Sequence, residues 1–317
     1  MASVLTVTIN PALDVTAIVD EVVPDHKLRC RTPIRDPGGG GINVARTVHR
    51  LGGSVTPLYA TGGDAGKALV DLLAAEGIVS ETFSLQAVTR ENLTVTEQCS
   101  SHQYRFILPG AEFTEYEWRA FLDLVGMSAI GKRYLIASGS LAPGVPDDFY
   151  ARCAKIARSS GSEFVLDCSG LPLALALEEH VHMIKPSLRE FQALMGKALP
   201  DTEAQIDAGR DLIGSGKLDI PALSLGGRGA LLVTANIALK VFALRVTALS
   251  TVGAGDSFLG GIVWGLAAGC SIEDAAHYGV AASAATLLQP GTRLCAREDV
   301  DRLVSDVQSY PPIRFRA

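Results

Sequence analysis

Residues 250–258 read Ser-Thr-Val-Gly-Ala-Gly-Asp-Ser-Phe, a glycine-rich turn followed directly by an apolar run. The small residues Gly253, Ala254 and Gly255 let successive backbone N–H groups converge, and the apolar residues after Asp256 predict that a helix begins there. The start of such a helix binds anions, because its first N–H groups are unpaired and the helix dipole is positive at that end. We therefore predict an anion site at this turn, suited to a phosphoryl group in transfer.

Asp256 stands at the start of the same predicted helix. A carboxylate in this position can accept a proton from an attacking hydroxyl group. The alternative is that Asp256 merely caps the helix, as aspartate often does. The spacing alone does not decide between a catalytic base and a cap.

Apolar runs alternate with amphipathic stretches along most of the chain. This alternation predicts an α/β fold with a mostly parallel sheet covered by helices on both faces, in which ligands bind at the carboxyl ends of the strands. The predicted strands are 5–9, 55–60, 134–137, 164–167, 183–185, 222–225 and 230–234. The predicted helices are 41–50, 66–76, 114–125, 147–159, 202–214, 256–268 and 272–287.

Two segments interrupt the alternation. Residues 16–34 and 90–108 carry β-prone side chains with no helix between them, and we predict that they form a small antiparallel sheet. Such a sheet could act as a lid that closes over a substrate, or it could pair with a second copy of the chain. Since no repeat or linker divides the sequence, we expect one domain over residues 1–317.

Composition narrows the possible partners and the cellular location. A hydrophobic fraction of 48% fits a packed core. A net charge of −6 means that the chain lacks the excess of positive charge that is typical of nucleic-acid-binding proteins. The longest apolar stretch, 258–268, is too short to span a membrane. The N-terminus lacks the pattern of a signal peptide, and six scattered cysteines without a CxxC pair suggest reduced thiols. These observations predict a cytoplasmic protein.

Two motifs resemble the signatures of the PfkB, or ribokinase-like, carbohydrate kinases. Residues 37–46, Pro-Gly-Gly-Gly-Gly-Ile-Asn-Val-Ala-Arg, resemble the first signature, and 251–258 resemble the second. The resemblance covers essentially the whole chain. It implies a ribokinase-like three-layer sandwich with a β-sheet lid and an ATP-dependent kinase in which Asp256 is the base. Shorter motifs follow the order of that family at 138–141, 185–186, 224–226 and 291–293.

Within this family the chain is most similar to the PfkB-type 6-phosphofructokinases, on motifs that include 27–30, 90–92 and 103–106. Residues 10–14, Asn-Pro-Ala-Leu-Asp, instead resemble fructose-1-phosphate and tagatose-6-phosphate kinases. The implied reaction is phosphorylation of fructose 6-phosphate by ATP. The alternatives are a 1-phosphofructokinase or tagatose-6-phosphate kinase and, in another class, a sugar-phosphate-binding protein with little turnover.

The resemblance also implies roles for individual residues. The cations for the phosphate already on the sugar would be Lys27, Arg29, Arg90 and Arg105, some of them supplied by a neighbouring subunit in a homodimer formed through the lid. The rest of the sugar site would be Asp14, Gly38, Gly39, Asn43, Asn92 and Ser140. The ATP site would include Lys185, Ser187, Ser224, Gly226, Gly227, Gly229 and Gly279, with Gly253, Ala254 and Gly255 forming the anion nest.

Two kinds of metal ion are implied as well. Glu190 would organise Mg²⁺ through water, and the loop around Ser250 and Val252 resembles a monovalent-cation site, occupied by K⁺ in relatives. One position departs from the family pattern, which has Asn-x-x-Glu after Lys-Pro. This chain has Ser187 in place of the asparagine, which predicts weaker handling of Mg²⁺.

Overall fold

The computed structural model describes residues 2–316, which form two β-sheets and the helices that pack on them. The strands are β1 (Val4–Thr8), β2 (Ala12–Val19), β3 (Ile34–Gly38), β4 (Val55–Thr61), β5 (Glu81–Ser84), β6 (Arg90–Glu97), β7 (Gln103–Phe106), β8 (Tyr134–Ser138), β9 (Glu163–Asp167), β10 (Val181–Ile184), β11 (Leu218–Ser224), β12 (Ala230–Val233), β13 (Ile237–Val241) and β14 (Ile313–Arg316). The helices are α1 (Gly40–Arg50), α2 (Gly63–Ala75), α3 (Glu115–Ser128), α4 (Phe149–Ser160), α5 (Leu171–Leu177), α6 (Leu188–Met195), α7 (Thr202–Gly214), α8 (Ala254–Ala267), α9 (Ile272–Leu287) and α10 (Arg297–Gln308).

The larger sheet has the strand order β14-β13-β12-β11-β10-β9-β8-β1-β4-β5. Neighbours from β11 to β5 pair in parallel, whereas β12, β13 and β14 add an antiparallel edge. The prediction of a mostly parallel sheet is therefore confirmed. Because parallel strands run the same way, their carboxyl ends lie along one edge, where loops can assemble a site.

Helices pack on both faces of this sheet, as the alternation along β1 illustrates. Val4 belongs to a core cluster with residues of α1, α8, α9 and α10. The next residue, Leu5, belongs to a second cluster with residues of α3, α4 and α5. Successive side chains of a strand point to opposite faces, so one strand contributes to both layers of the core. The predicted three-layer sandwich is confirmed.

Helices α8 and α9 pack unusually closely, which fixes the position of the 250–258 turn. A Cβ atom on Gly261 would stand 2.5 Å from the carbonyl oxygen of Tyr278, and one on Gly265 would stand 2.8 Å from the Cα of Ala275. Only a residue without a side chain permits this backbone approach. This close contact along the second half of α8 sets the position of the helix that the turn begins.

The smaller sheet, hereafter the lid sheet, has the order β3-β2-β6-β7. Its outer pairs are antiparallel, but its central pair, β2 and β6, is parallel, from Ala12 opposite Arg90 to Val19 opposite Glu97. The prediction of an antiparallel sheet is therefore wrong at its centre. The reason is topological: β2 and β6 both leave the core at the same edge and run away from it in the same direction.

Six elements lie outside the predicted strands and helices: β5, β13, β14, α5, α6 and α10. Most are short, and α10 is polar on average because only one face is buried, at Val300, Leu303, Val304 and Val307. Among residues 2–316, no helix combines the length and apolar character needed to cross a membrane.

Candidate active site

The 250–258 turn leads into α8 through a left-handed residue. Gly253 has φ +76° and lies directly against Leu294, so any side chain at 253 would be strained and would clash. Helix α8 begins at Ala254, two residues before the predicted start, which makes Asp256 its third residue. The Asp256 carboxylate makes no capping bond; its Oδ2 accepts from Nδ2 of Asn43, on α1, at 2.8 Å.

Two cavities meet at this turn. The first, of about 450 Å³, lies under the lid sheet and is lined by Val252, Gly253 and Asp256; we call it the lid-side cavity. The second, of about 360 Å³, lies between α8, α9 and the antiparallel edge of the larger sheet; we call it the helix-side cavity. Thr251, Ala254 and Gly255 line the helix-side cavity. The 250–258 turn thus separates the two cavities, and the carboxylate of Asp256 faces the lid-side cavity.

The lid sheet presents Asp14 and Asn92 to the lid-side cavity. They are cross-strand partners on β2 and β6, and Nδ2 of Asn92 donates to Oδ1 of Asp14 at 2.9 Å. Gly38 packs against the Asp14 carboxylate, since a Cβ there would stand 2.5 Å from Cγ of Asp14. Burial raises the pKa of Asp14, although nearby Arg90 and Arg105 act in the opposite direction. The pair offers oxygen and amide groups suited to the hydroxyls of a sugar.

Gly39, Asn43 and Ser140 also line the lid-side cavity. The hydroxyl of Ser140 accepts from Nδ2 of Asn10 at 3.2 Å, which ties the loop after β8 to the loop after β1. The carbonyl oxygen of the Asn43 side chain is buried without a hydrogen-bond partner. A buried polar atom of this kind is available to a ligand hydroxyl.

Two of the four predicted cations face this cavity. Arg90 and Arg105 line it, and Arg90 also donates to the carbonyl oxygens of Asn10, at 3.0 Å, and Leu108, at 3.1 Å. Lys27 and Arg29 line neither cavity; they lie on the exposed segment 20–33, which forms neither helix nor strand. A single chain therefore brings together half of the predicted cationic set.

Asp167, at the carboxyl end of β9, is a candidate site residue that is not among those predicted from the sequence. It lines the lid-side cavity, accepts from Ser138, and pairs with Lys185, whose Nζ lies 3.2 Å from Oδ1 of Asp167. Lys185 is buried; burial lowers its pKa, but Asp167 and Asp256 outweigh that effect and raise it. The signal was present, because Asp167 ends a predicted strand at the edge where such sheets bind ligands.

The charge of Asp256 depends on this cluster. Burial raises its pKa to about 7, and the negative charge of Asp167 acts in the same direction, while Asn43 and Lys185 oppose the change. A carboxyl group with a pKa near neutrality accepts a proton more readily than an ordinary aspartate and is still substantially ionised at pH 7. This arrangement is suited to proton transfer at Asp256.

The helix-side cavity contains most of the predicted nucleotide residues. Ser224, Gly226, Gly227 and Gly229 line it, together with apolar residues that include Leu244, Val280 and Leu287. A cavity that combines polar groups with apolar walls suits a nucleotide. Gly279 does not line it: a Cβ there would stand 2.7 Å from Cγ1 of Ile262, so this glycine permits helix packing.

Comparison with known proteins matches residues 3–299 to the description "pfkB family carbohydrate kinase". The chain belongs to the pfkB family. Two curated relatives are named ATP-dependent 6-phosphofructokinase isozyme 2. The protein from Mycobacterium tuberculosis (strain CDC 1551 / Oshkosh) is 43% identical over 94% of this chain and 88% of its own. The protein from Escherichia coli (strain K12) is 38% identical over 96% of this chain and 98% of its own.

The pfkB fold is also found in solved structures. Phosphofructokinase-2 from Escherichia coli in complex with potassium superposes with a TM-score of 0.92 at 38% identity, covering 97% of this chain and 100% of that one. The family and the ribokinase-like fold implied by the two sequence motifs are therefore confirmed.

The departure from the pfkB pattern at Ser187 has a structural explanation. Ser187 is the N-cap of α6 in a capping box with Glu190: its hydroxyl accepts from the backbone N–H of Glu190 at 3.3 Å. In return, Oε2 of Glu190 accepts from the backbone N–H and the hydroxyl of Ser187, both at 2.7 Å. The serine thus makes two hydrogen bonds to one oxygen of the Glu190 carboxylate, Oε2.

Kinases of the pfkB family use a divalent metal with ATP, and the residues present fit Mg²⁺ bound through water. Asp167 and Glu190 both line the lid-side cavity and supply carboxylate oxygens. In the part of the chain that the structure describes, no three His, Cys, Asp or Glu side chains converge on a metal site. An ion that keeps several of its waters does not need such a cage.

Replacing Ser187 with alanine should raise the half-saturating concentration of free Mg²⁺ severalfold at fixed MgATP. The reason is that Glu190 loses one of its two fixing bonds, and contacts of this kind orient the groups that bind metal. Titration of activity with Mg²⁺ measures the effect. Thr114→Ala removes the same kind of capping box, with Glu117 on α3, and should leave the Mg²⁺ dependence unchanged. An equal shift in both variants would contradict a role for Ser187 at the metal.

Proposed function

We propose that this protein is an ATP-dependent 6-phosphofructokinase, which converts fructose 6-phosphate and ATP to fructose 1,6-bisphosphate and ADP. The observation that carries the proposal is the 250–258 turn, which lines one cavity suited to a nucleotide and another suited to a sugar phosphate. The relatives at 38–43% identity named 6-phosphofructokinase support the substrate.

The chemistry follows from the position of Asp256. The sugar lies in the lid-side cavity with its 1-hydroxyl near the carboxylate, and the terminal phosphate of ATP reaches the turn from the helix-side cavity. The hydroxyl oxygen forms a bond to the γ-phosphorus, the bond to the ADP oxygen breaks, and the hydroxyl proton passes to Asp256. The N–H groups at Ala254 and Gly255 stabilise the charge on the transferred group.

Cations complete this site. Mg²⁺, held through water near Asp167 and Glu190, would neutralise charge on the nucleotide phosphates. The loop around Ser250 and Val252 is our candidate for K⁺ because residues 242–253 form neither helix nor strand, so their carbonyl oxygens are not used by a sheet. Phosphofructokinase-2 from Escherichia coli has been solved in complex with potassium, which supports this assignment.

A panel of acceptors tests the proposal directly. ADP release should be fastest with fructose 6-phosphate and much slower with fructose 1-phosphate, tagatose 6-phosphate and fructose. Faster turnover of fructose 1-phosphate would favour the 1-phosphofructokinases, which are represented among the relatives at 28–29% identity. Binding of fructose 6-phosphate without turnover of any sugar would mean that the protein is a binding module.

The pH dependence should reveal the base. Asp256 must be ionised to accept a proton and its pKa is raised to about 7, so kcat/KM should fall about tenfold per unit below pH 7 and level off above it. The measurement is kcat/KM for the sugar phosphate between about pH 5.5 and 9. A flat profile down to the acid end of this range would mean that the carboxyl group has an ordinary pKa or that proton transfer is not limiting.

We further propose that the protein forms a homodimer through the lid sheet. Leu93 and Phe106, cross-strand partners on β6 and β7, are 38% and 53% exposed, and Tyr104, Ile18 and Ile34 add to the exposed apolar surface. A small sheet is marginally stable alone and gains from burial against a partner. A partner's segment 20–33 could then bring Lys27 and Arg29 to the cavity that they do not reach in one chain. One solved structure of the E. coli relative is described as a tetrameric inhibited form.

Phe106→Asp should therefore dissociate the dimer and reduce activity together. A charge at the centre of an apolar interface is left without solvent or partner. Light scattering and the acceptor assay at matched protein concentrations measure the two effects. Tyr116→Asp, on α3 and 80% exposed, is the control and should change neither. A wild-type protein that is monomeric and fully active at micromolar concentration would refute the dimer.

A further inference from the structure

A charged side chain lies almost entirely inside the protein behind the lid-side cavity. Arg46, on α1, is 1% exposed and is the largest fully buried side chain in the described chain. Burying a guanidinium group is costly unless its donors are paired, so such a residue usually has a specific task. Arg46 does not line the lid-side cavity, and the phosphoryl transfer proposed above does not use it.

The donors of Arg46 join three parts of the fold. Nε and Nη2 donate to Oε1 of Glu76, at the end of α2, at 2.9 and 2.6 Å. Nη1 donates to the carbonyl oxygen of Pro37, on β3, at 3.1 Å, and Nη2 lies 3.9 Å from Oδ1 of Asp36. The planar fork of arginine can satisfy these partners at once, which the single ammonium of lysine cannot do.

Glu76 extends the chain of charges. Its other oxygen pairs with Arg50 at 3.2 Å, and Arg50 donates to the carbonyl oxygens of Leu294, at 2.8 Å, and Cys295, at 3.2 Å. Burial raises the pKa of Glu76, but the hydrogen bonds and positive charges of Arg46 and Arg50 outweigh this effect, so that the pKa is lowered overall. The network therefore connects β3 of the lid sheet, the end of α2 and the loop that precedes α10.

The parts that Arg46 holds carry groups of the lid-side cavity. Oδ2 of Asp36 accepts from the hydroxyl of Thr292 at 2.6 Å, and Thr292 lines the cavity. Asp36 is also the cross-strand partner of Asp14. Gly38, one residue beyond Pro37, packs against the Asp14 carboxylate. A shift of β3 would therefore move Asp14 and Thr292 together, while none of the residues lining the helix-side cavity lies on this strand.

We propose that Arg46 is a positioning residue that anchors the base of the lid sheet to the core and so sets the geometry of the acceptor side of the active site. The inference rests on the proposed function for its kinetic consequence only. Its structural consequence, the anchoring of β3, holds for any ligand of the lid-side cavity.

The test compares Arg46→Lys and Asp36→Asn with the wild-type protein. Both variants should raise KM for fructose 6-phosphate, by about tenfold for Arg46→Lys, and leave KM for ATP nearly unchanged. Amide hydrogen exchange should accelerate over residues 34–38 and 12–16 more than over α8 and α9. Ile206→Ala, in the separate core cluster beneath α7, is the control for general loss of stability.

The outcomes separate the two proposals. If wild-type protein does not phosphorylate fructose 6-phosphate, the proposed function fails, and hydrogen exchange still tests the anchor. If Arg46→Lys and Asp36→Asn lose thermal stability as Ile206→Ala does, with unchanged KM and uniform exchange, Arg46 is structural only and the inference is wrong. Arg46→Met, which leaves Glu76 without its closest partner, should give the larger effect if it folds; Arg46→Lys decides the matter if it does not.

Discussion

Replacing Asp256 with asparagine is expected to lower kcat by about 10²–10⁴-fold, with ATP affinity nearly unchanged. Asparagine preserves the size of the side chain and can still accept the bond from Asn43, but it cannot take the proton of the acceptor hydroxyl. Initial rates across ATP and sugar-phosphate concentrations, together with direct ATP binding, measure the two quantities. Retention of more than half of the wild-type kcat would rule out Asp256 as the base.

The same substitution should not weaken the fold. The pKa of Asp256 is higher in the folded protein than in the unfolded chain. Between about pH 4 and 7, the native state therefore keeps a proton on this carboxyl group that the unfolded chain has released. The stability of the wild-type protein therefore falls as pH rises through this window. Asp256→Asn should melt at least as high as wild type at about pH 8. Asp274→Asn, at the same third position of α9, is the matched control and should keep its activity.

The second large effect is expected at Arg105. Arg105→Ala should lower kcat/KM for fructose 6-phosphate by about 10- to 100-fold, because a charged hydrogen bond to phosphate contributes about 1.5–3 kcal/mol. KM for ATP should change little, since Arg105 lines the lid-side cavity and not the helix-side cavity. Arg105 is a cleaner choice than Arg90, whose guanidinium also holds the backbone at Asn10 and Leu108.

Two controls define this result. The slow turnover of unphosphorylated fructose should be the same in Arg105→Ala as in wild type, because that acceptor has no phosphate to lose. Arg119→Ala, which removes an exposed arginine paired with Glu115 on α3, should have no effect on either acceptor. If fructose and fructose 6-phosphate lost activity by the same factor, Arg105 would support the lid rather than bind phosphate.

The 250–258 stretch predicts the start of α8 and supplies one of the two family motifs from sequence alone. The apolar run after Asp256 places that start within two residues of the observed one, whereas the role of Asp256 as the base stays a prediction. The difference has a physical cause: the left-handed conformation at Gly253 lets α8 begin at Ala254. Alternating patterns along the core strands were equally informative, because burial dictates them directly.

What the sequence could not supply were relations between distant segments. The end of a predicted strand marks the position of Asp167, but its ion pair with Lys185 is a contact between separate strands that the sequence does not show. The parallel orientation of β2 and β6 likewise depends on how two distant segments meet in space. The strands β13 and β14 are short edge elements whose pairing is long-range. Lys27 and Arg29 are ordinary exposed cations in one chain, and their roles remain predictions.

The parallel pairing of β2 with β6 also bears on how the protein folds. Asp14 pairs with Asn92, so β3, α1, β4, α2 and β5 lie between the two partners in sequence. Contacts of such high sequence separation form late, because closing a long loop costs chain entropy before the strands gain from pairing. The core sheet needs a still longer closure, since Val4 on β1 pairs with Tyr134 on β8. We therefore expect the lid sheet and the core to form in one cooperative step, so that fluorescence and acceptor binding recover together on refolding. During synthesis, β2 must wait for its central partner, which leaves an exposed strand edge on the nascent chain.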